Sequence, residues 1–371
     1  MQERQLPFIV RLAFTLLSII ILGYLAIIGK SLLSPLLFSL LLAFLMLPMA
    51  NFFEQKFRLK RSLSTIFTVL LMLGFIYGVG YFFAGQLSEL WSDWPLLVKQ
   101  VTNSFHEIQH WISKTFHVNV SKQETYLADS AEKALSTSAA VIGTTLITLS
   151  SSLLFIAFTL LFTFFILNYR RLLYRFLTTV FAEDHRTKVS ETVNEIQRII
   201  KKYITGLFIQ MVIVSTLMVL TLSILGVKYA ILLGLVAGIF NIIPYLGIST
   251  ALIISVLITF ATAGATKALF VLFAFIGVHT IDGNILMPLI VGSKVKINAL
   301  MAFIGIIIGE MLWGISGMFL CMPYLAMLKI IFQKVDGLNA WAILLGEEQK
   351  EIAEKKKFFK LRKKLKIEEP E

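Results

Sequence analysis

Two apolar stretches of 35 residues, 229–263 and 297–331, are each interrupted at the middle by a Gly/Pro-rich break, and they constrain the fold more than any other feature of the chain. The first carries no charge and the second only Glu310 and Lys329. As an unbroken helix each would run ~52 Å, whereas the hydrocarbon core of a bilayer is ~30 Å thick and two complete crossings with a turn take roughly 42 residues. Each stretch is too long for one span and short for two. The breaks fall at Asn241-Ile242-Ile243-Pro244-Tyr245-Leu246-Gly247 and at Gly309-Glu310-Met311-Leu312-Trp313-Gly314-Ile315-Ser316-Gly317, so each stretch reads as two half-helices around an unwound elbow. Lipid does not tolerate exposed irregular backbone, which places such an elbow inside protein or along a cavity. Paired interrupted segments of this kind point to the central site of a transporter.

The rest of the chain agrees with a membrane setting. Of 371 residues 57% are hydrophobic and only 15% charged, with a mean hydropathy of +0.82, which excludes a water-soluble globule. The net charge of +12 does not signal nucleic acid, because the basic residues gather in loops beside apolar runs and form no binding stripe. The single Cys321 excludes internal disulfides and thiol metal clusters, and in its apolar run it reads as a packing residue. No small-residue cleavage site follows the first apolar run, so it is expected to stay as a helix.

Hydropathy places full-length spans at residues 6–29, 31–50, 63–85, 146–168, 204–226 and 268–290, the first two joined through Gly29, Lys30 and Ser31. The predicted class is an all-α integral membrane protein with about six full spans plus two broken, re-entrant hairpins, eight membrane segments in all. Lys and Arg crowd the loop at 56–61, the segment 170–202, which holds eight, and the tail from Lys334, which holds ten. Residues 86–145 carry only Lys99, Lys114, Lys122 and Lys133 against six acids. The positive-inside rule therefore puts both termini in the cytoplasm and residues 86–145 outside.

If each broken stretch enters and leaves on one side, Lys294 and Lys296 fall inside; a single tilted crossing would strand them outside. The hairpins are preferred. Each opens with a small-residue pair, Gly234-x-x-x-Gly238 and Gly305-x-x-x-Gly309, that permits close helix approach. Span plus hairpin, twice and from opposite faces, is the plan of an inverted repeat in the C-terminal half. The expected layout is an N-terminal three-helix region (1–85), an extracytoplasmic helical segment (86–145), a fourth span with a basic cytoplasmic helix (146–203), a transport core (204–333) and a charged tail (334–371).

Outside the spans, apolar residues from Leu87 to Ile112 recur at three and four and predict an amphipathic helix, with Trp91, Trp94 and Trp111 suited to a membrane interface or to packing on a helix at 124–135. Val189, Val193, Ile196, Ile200 and Tyr203 predict a second one that feeds into the fifth span.

Within the predicted membrane segments two acids stand out, Asp282 and Glu310. A carboxylate in a bilayer is costly unless paired, hydrated or protonated, so both are candidates for binding a proton, a cation or a polar solute; capping of unwound helix ends is the alternative. His279 lies three residues before Asp282, on the same face of a regular helix, and Asn284 follows. Glu310 is placed at the second elbow and Asn241 at the first. His279, with no second ligand at metal spacing, is more simply a packing residue than a metal site. His279, Asp282, Glu310 and Ser316 could be drawn as an intramembrane hydrolase. Yet no Gly-x-Ser-x-Gly elbow, His-Glu-x-x-His helix or phosphate-cradling loop accompanies them, and transport is the stronger reading.

Residues Tyr203-Ile204-Thr205-Gly206, the first break, the run Asn284-Ile285-Leu286-Met287-Pro288-Leu289-Ile290-Val291-Gly292, the second break and Pro323 together resemble the autoinducer-2 exporter (AI-2E) family of multi-pass bacterial membrane proteins. Ile248 and Ala299 stand where that pattern often has proline. The resemblance implies an inner-membrane transporter without nucleotide hydrolysis, exporting a small polar solute such as autoinducer-2 or exchanging sodium for protons. The expected pathway residues are Asn241, Pro244, Tyr245, Gly247, His279, Asp282, Asn284, Glu310 and Ser316. No cofactor is expected beyond coupling H+ or Na+. The expected partners are the lipid bilayer, a small polar solute or cation, and further copies of the chain in a homo-oligomer, with no nucleic acid.

Overall fold

The computed structural model describes residues 7–116, 152–243, 246–291 and 297–346, and among them it is helical with no strand. In chain order the helices are α1 (Phe8–Ile28), α2 (Lys30–Lys56), α3 (Arg61–Phe116), α4 (Ser152–Asn168), α5 (Arg170–Thr179), α6 (Glu183–Ile224), α7 (Ala230–Phe240) and α8 (Leu246–Ile281). They are followed by a π-helical continuation (Asp282–Val291), α9 (Ala299–Trp313), α10 (Ile315–Lys334) and α11 (Asn339–Leu345). Among the described residues five stretches are long and apolar enough to cross a membrane, namely α2, the Arg61–Leu97 part of α3, α6, Gly247–Ile290 and α10, and the bent pair α4 with α5 can make a sixth. The chain is an all-α integral membrane protein.

One difference from what the sequence predicts concerns continuity. The third span and the amphipathic helix after it are one 56-residue helix, α3, and Pro95 sits inside it. The apolar register carries through Gly85, so nothing forces a break between membrane and extramembrane parts. Near its start the α3 extension is tied down by Asp93, which accepts from Lys228 at 2.5 Å and from the Tyr229 hydroxyl. The second basic amphipathic helix does run into the fifth span, as the 42-residue α6. The expected helix at 124–135, Lys294, Lys296 and the tail beyond residue 346 lie outside the described residues.

The chain divides into two compact units, each assembled from separate pieces. One comprises the described residues of 1–55, 161–204 and 293–371, the other those of 56–160 and 205–292.

In the second unit α7 turns back into α8 as a hairpin. Its core is built from Val214, Met218 and Leu222 of α6, Leu233 and Ala237 of α7, and Ala251, Val271 and Phe275 of α8. Among lipid tails such contacts hold helices together through close packing rather than through exclusion of water. Gly234 and Gly238 serve that packing, since a methyl group there would run into Val219 and Ser215 of α6. The backbone of α8 breaks at Gly264 (φ 82°), which separates the returning arm of the hairpin from the next span.

In the first unit α9 and α10 form the second hairpin, turning at Gly314 in the left-handed region (φ 65°). Gly309 and Gly317 face each other so closely that a methyl group on either would overlap the other's carbonyl. The sequence reading made each arm a half-helix, but the arms are unequal: α7 has 11 residues and α9 has 15, while α10 has 20 and qualifies as a span. The second break, at Gly314, does sit at the middle of 297–331; the arms differ because α9 begins only at Ala299 while α10 runs on past Ile331 to Lys334.

Around the second turn, Trp313 Nε1 donates to the Ala26 carbonyl at 2.9 Å and Ser316 Oγ lies 2.9 Å from Ser34 Oγ. Phe38 stacks near Phe319 with centroids 5.0 Å apart, and the Tyr324 hydroxyl donates to the Leu37 carbonyl at 2.9 Å. The successive partners lay α2 along α10. Cys321 is buried where Gly305 leaves room for its sulfur, as a packing residue would be.

Candidate functional site

Asp282 is the first residue of the π-helical segment and is 4% exposed. In a π-helix the backbone bonds reach one residue further than in an α-helix, which widens the turn and changes the direction in which successive side chains point. Gln210 of α6, 6% exposed, donates through Nε2 to Asp282 Oδ1 at 2.7 Å. Asn241, which ends α7, donates through Nδ2 to Asp282 Oδ2 at 3.0 Å. A carboxylate with each oxygen held by a different amide therefore joins α6, the tip of the first hairpin and the junction of α8 with the π segment.

The backbone around the site explains how Asn241 is held there. Its N–H bonds the Ala237 carbonyl at 3.0 Å, and the chain tightens through Ile243 N–H to Phe240 O at 2.9 Å and Gly247 N–H to Ile243 O at 3.1 Å. Gly247 lies directly beneath the Phe240 carbonyl, where a side chain cannot fit. Behind the site, Gly206 brings α6 against the Ile290 carbonyl, with 3.2 Å left for a methyl carbon.

Among the described residues no Lys, Arg or His lies within ion-pair distance of Asp282. Among the described residues a negative charge there is met by two amide dipoles, and a buried charge held by dipoles is costly. The arrangement can act as a hydrogen-bond acceptor for a polar solute, as a cation ligand, or as a proton carrier. When the carboxyl takes a proton it becomes a donor, and either amide can rotate to offer its carbonyl instead of its NH2.

Of the residues singled out from sequence, Asn241 and Asp282 meet here and Gly247 shapes the turn between them. Pro244 and Tyr245 lie outside the described residues. His279 is exposed although Asp282 is buried, so the two do not share an environment; His279 belongs to α8, and the π segment begins at Asp282. Asn284 is also exposed and donates to the Thr280 carbonyl at 2.9 Å, one turn back on its own helix. Glu310 lies four residues before the Gly314 turn rather than in the unwound backbone, because α9 stays helical through Trp313; its side chain is exposed while its carbonyl accepts the Gly314 N–H at 2.7 Å. Ser316 donates to the Trp313 carbonyl at 3.0 Å and fastens the second turn. Gln210 was not among the expected residues. Its signal was present: it is the sole amide or charged side chain between residues 204 and 226.

The sequence matches the family of AI-2E family transporters over residues 12–337, which takes in both hairpins and all three members of the amide–carboxylate cluster. The chain belongs to the AI-2E transporter family. This AI-2E protein is 26% identical over 315 residues to YueF of Bacillus subtilis (strain 168), across 81% of the chain and 83% of YueF. With YrrI of the same organism it shares 24% identity over 316 residues, 81% of the chain and 86% of YrrI. Both relatives carry transport-protein names. The AI-2 transport protein TqsA of Escherichia coli (strain K12) matches over a shorter stretch, 32% identical over 130 residues, 35% of the chain and 38% of TqsA. The protein is thus a multi-pass membrane transporter of a bacterial transporter family.

Proposed function

We propose that this AI-2E protein exports a small polar solute by alternating access, without nucleotide hydrolysis, and that the Gln210–Asp282–Asn241 cluster is the polar point the solute must engage. The observation that carries the reading is a buried carboxylate whose two oxygens are held by amides from two other parts of the same unit. Each amide keeps one N–H and one carbonyl for exchange with a ligand. A hydroxyl-rich solute of the autoinducer-2 kind, the substrate in TqsA's name, would exchange hydrogen bonds there at little cost. The same carboxylate favours a second reading, cation/proton antiport, in which Asp282 takes Na+ or H+ in turn. In either case the chain sits in the inner membrane with both termini cytoplasmic, works as a homo-oligomer, and does no covalent chemistry on its cargo.

Flux into proteoliposomes separates the readings. Autoinducer-2, 22Na+ and a proton gradient are supplied in turn to wild-type protein and to Asp282→Asn, which keeps the shape and can be accommodated by an amide rotation. Solute flux that persists in Asp282→Asn but loses its dependence on pH or Na+ would identify coupling at Asp282. Sodium flux with no solute flux favours the antiporter. Unchanged solute flux and ion dependence in Asp282→Asn would remove the site from the mechanism.

A further inference from the structure

The amphipathic helix α5 follows α4 after one residue, and its axis is bent 68° from that span. A short helix at such an angle to the end of a span runs close to the plane of the membrane. Its sequence is divided accordingly. At 100° per residue, Leu172, Leu173, Phe176, Leu177 and the adjoining Val180 fall on one side, and Arg170, Arg171, Tyr174, Arg175, Thr178 and Thr179 on the other. None of α5 is buried by the protein: Leu172 and Phe176 are each 60% exposed and Val180 57%.

The corner is nonetheless fixed. Arg170 donates to Asn51 at 3.1 Å, to Glu54 and to the Leu167 carbonyl at 3.0 Å, so the end of α4 and the end of α2 are tied at the point where α5 leaves. Tyr174 lies 2.6 Å from Ser190 Oγ and holds the polar side toward α6. Arg171 is 71% exposed and reaches Glu54 only at 3.5 Å, and Arg175 is exposed.

We infer that α5 is an in-plane membrane anchor whose Arg171 and Arg175 hold anionic lipid headgroups while its apolar side enters the acyl boundary. Three observations select this occupant. The helix begins where α4, the described part of the span predicted at 146–168, ends, which fixes its depth. Its apolar arc is continuous and uncovered, as an interfacial helix requires. Its flanking charges are arginines, whose planar forks suit phosphate and whose stems can lie along the lipid while the charge reaches the headgroups. Lipid binding here is independent of which solute the transporter carries.

The test uses the full-length protein. Phe176→Cys in a Cys321→Ala background carries an environment-sensitive fluorophore and is reconstituted in phosphatidylcholine vesicles with and without phosphatidylglycerol, with bromine placed on one lipid or the other. The expected result is strong quenching by brominated lipid, with brominated phosphatidylglycerol preferred. That preference should fall about fivefold for each of Arg171→Gln and Arg175→Gln and be blunted by salt. Arg175→Gln alone leaves the Glu54 corner intact and guards against misfolding. Equal quenching by the two lipids would overturn the anionic selectivity. Absence of lipid quenching, together with energy transfer between labelled copies, would show that another copy covers the face and would overturn the proposal.

Discussion

The first hairpin closes on a carboxyl group and the second on a backbone carbonyl and a hydroxyl. At the α7–α8 turn, Asn241 donates to a buried carboxylate on another helix while Gly247 is pressed beneath a carbonyl. At the α9–α10 turn, the indole of Trp313 and the hydroxyl of Ser316 meet a backbone carbonyl and a serine. Their glycines differ in the same sense. Gly234 and Gly238 dock the first hairpin on α6, whereas Gly305, Gly309 and Gly317 close the second on itself. A self-closed hairpin with neutral contacts has what a structural element needs. A hairpin docked on a span and sharing a carboxylate with it has exchangeable polar groups, and those are what a ligand could use.

If that contrast is right, substitution at the two turns should fail in different ways. The largest effect is expected from Gly247→Val, which has no space under Phe240; little or no monodisperse protein should survive detergent extraction, as read by size-exclusion chromatography. Next comes Asp282→Ala, which leaves the buried Gln210 amide and the half-buried Asn241 amide unpaired, the former at roughly 1–3 kcal/mol. It should lower the melting temperature and abolish flux together. Gly309→Ala crowds the second hairpin against Gly317 and should cost about 1–3 kcal/mol in a thermal or denaturant assay. Protein that remains folded should keep transporting. Smallest are Ser34→Ala and Ser316→Ala, at about 1 kcal/mol or less, with flux near wild type. A Ser316→Ala variant that loses transport while keeping its melting temperature would erase the distinction between the turns.

How much of this was legible in the sequence follows from where the forces act. Spans, elbows and the basic loops are written in local composition, since each responds to the bilayer one segment at a time. Asn241 and Asp282 were visible as polar residues where none is cheap. Gln210 was harder to weigh, because an amide alone in a span is tolerated, and its meaning comes from a partner 72 positions away. Pairings such as Trp313 with Ala26 leave no trace at all, because the acceptor is backbone and any residue type would supply it. His279 misled for a different reason: it stays exposed on α8 while Asp282, where the helix changes its pitch, is buried.

That change of pitch makes the segment sensitive to residue count. A π-helix has more residues per turn than an α-helix of the same length, so loss of a single residue between Gly283 and Val291 would let the segment relax toward α geometry. The end of the segment would then rotate, and the Ile290 carbonyl would leave its place against Gly206. Exchanging one apolar side chain for another along the exposed positions of this stretch should matter little by comparison. Between Asp282 and Val291 the chain is held to a number of residues more strictly than to their identity, and variation here should come as substitution and not as deletion.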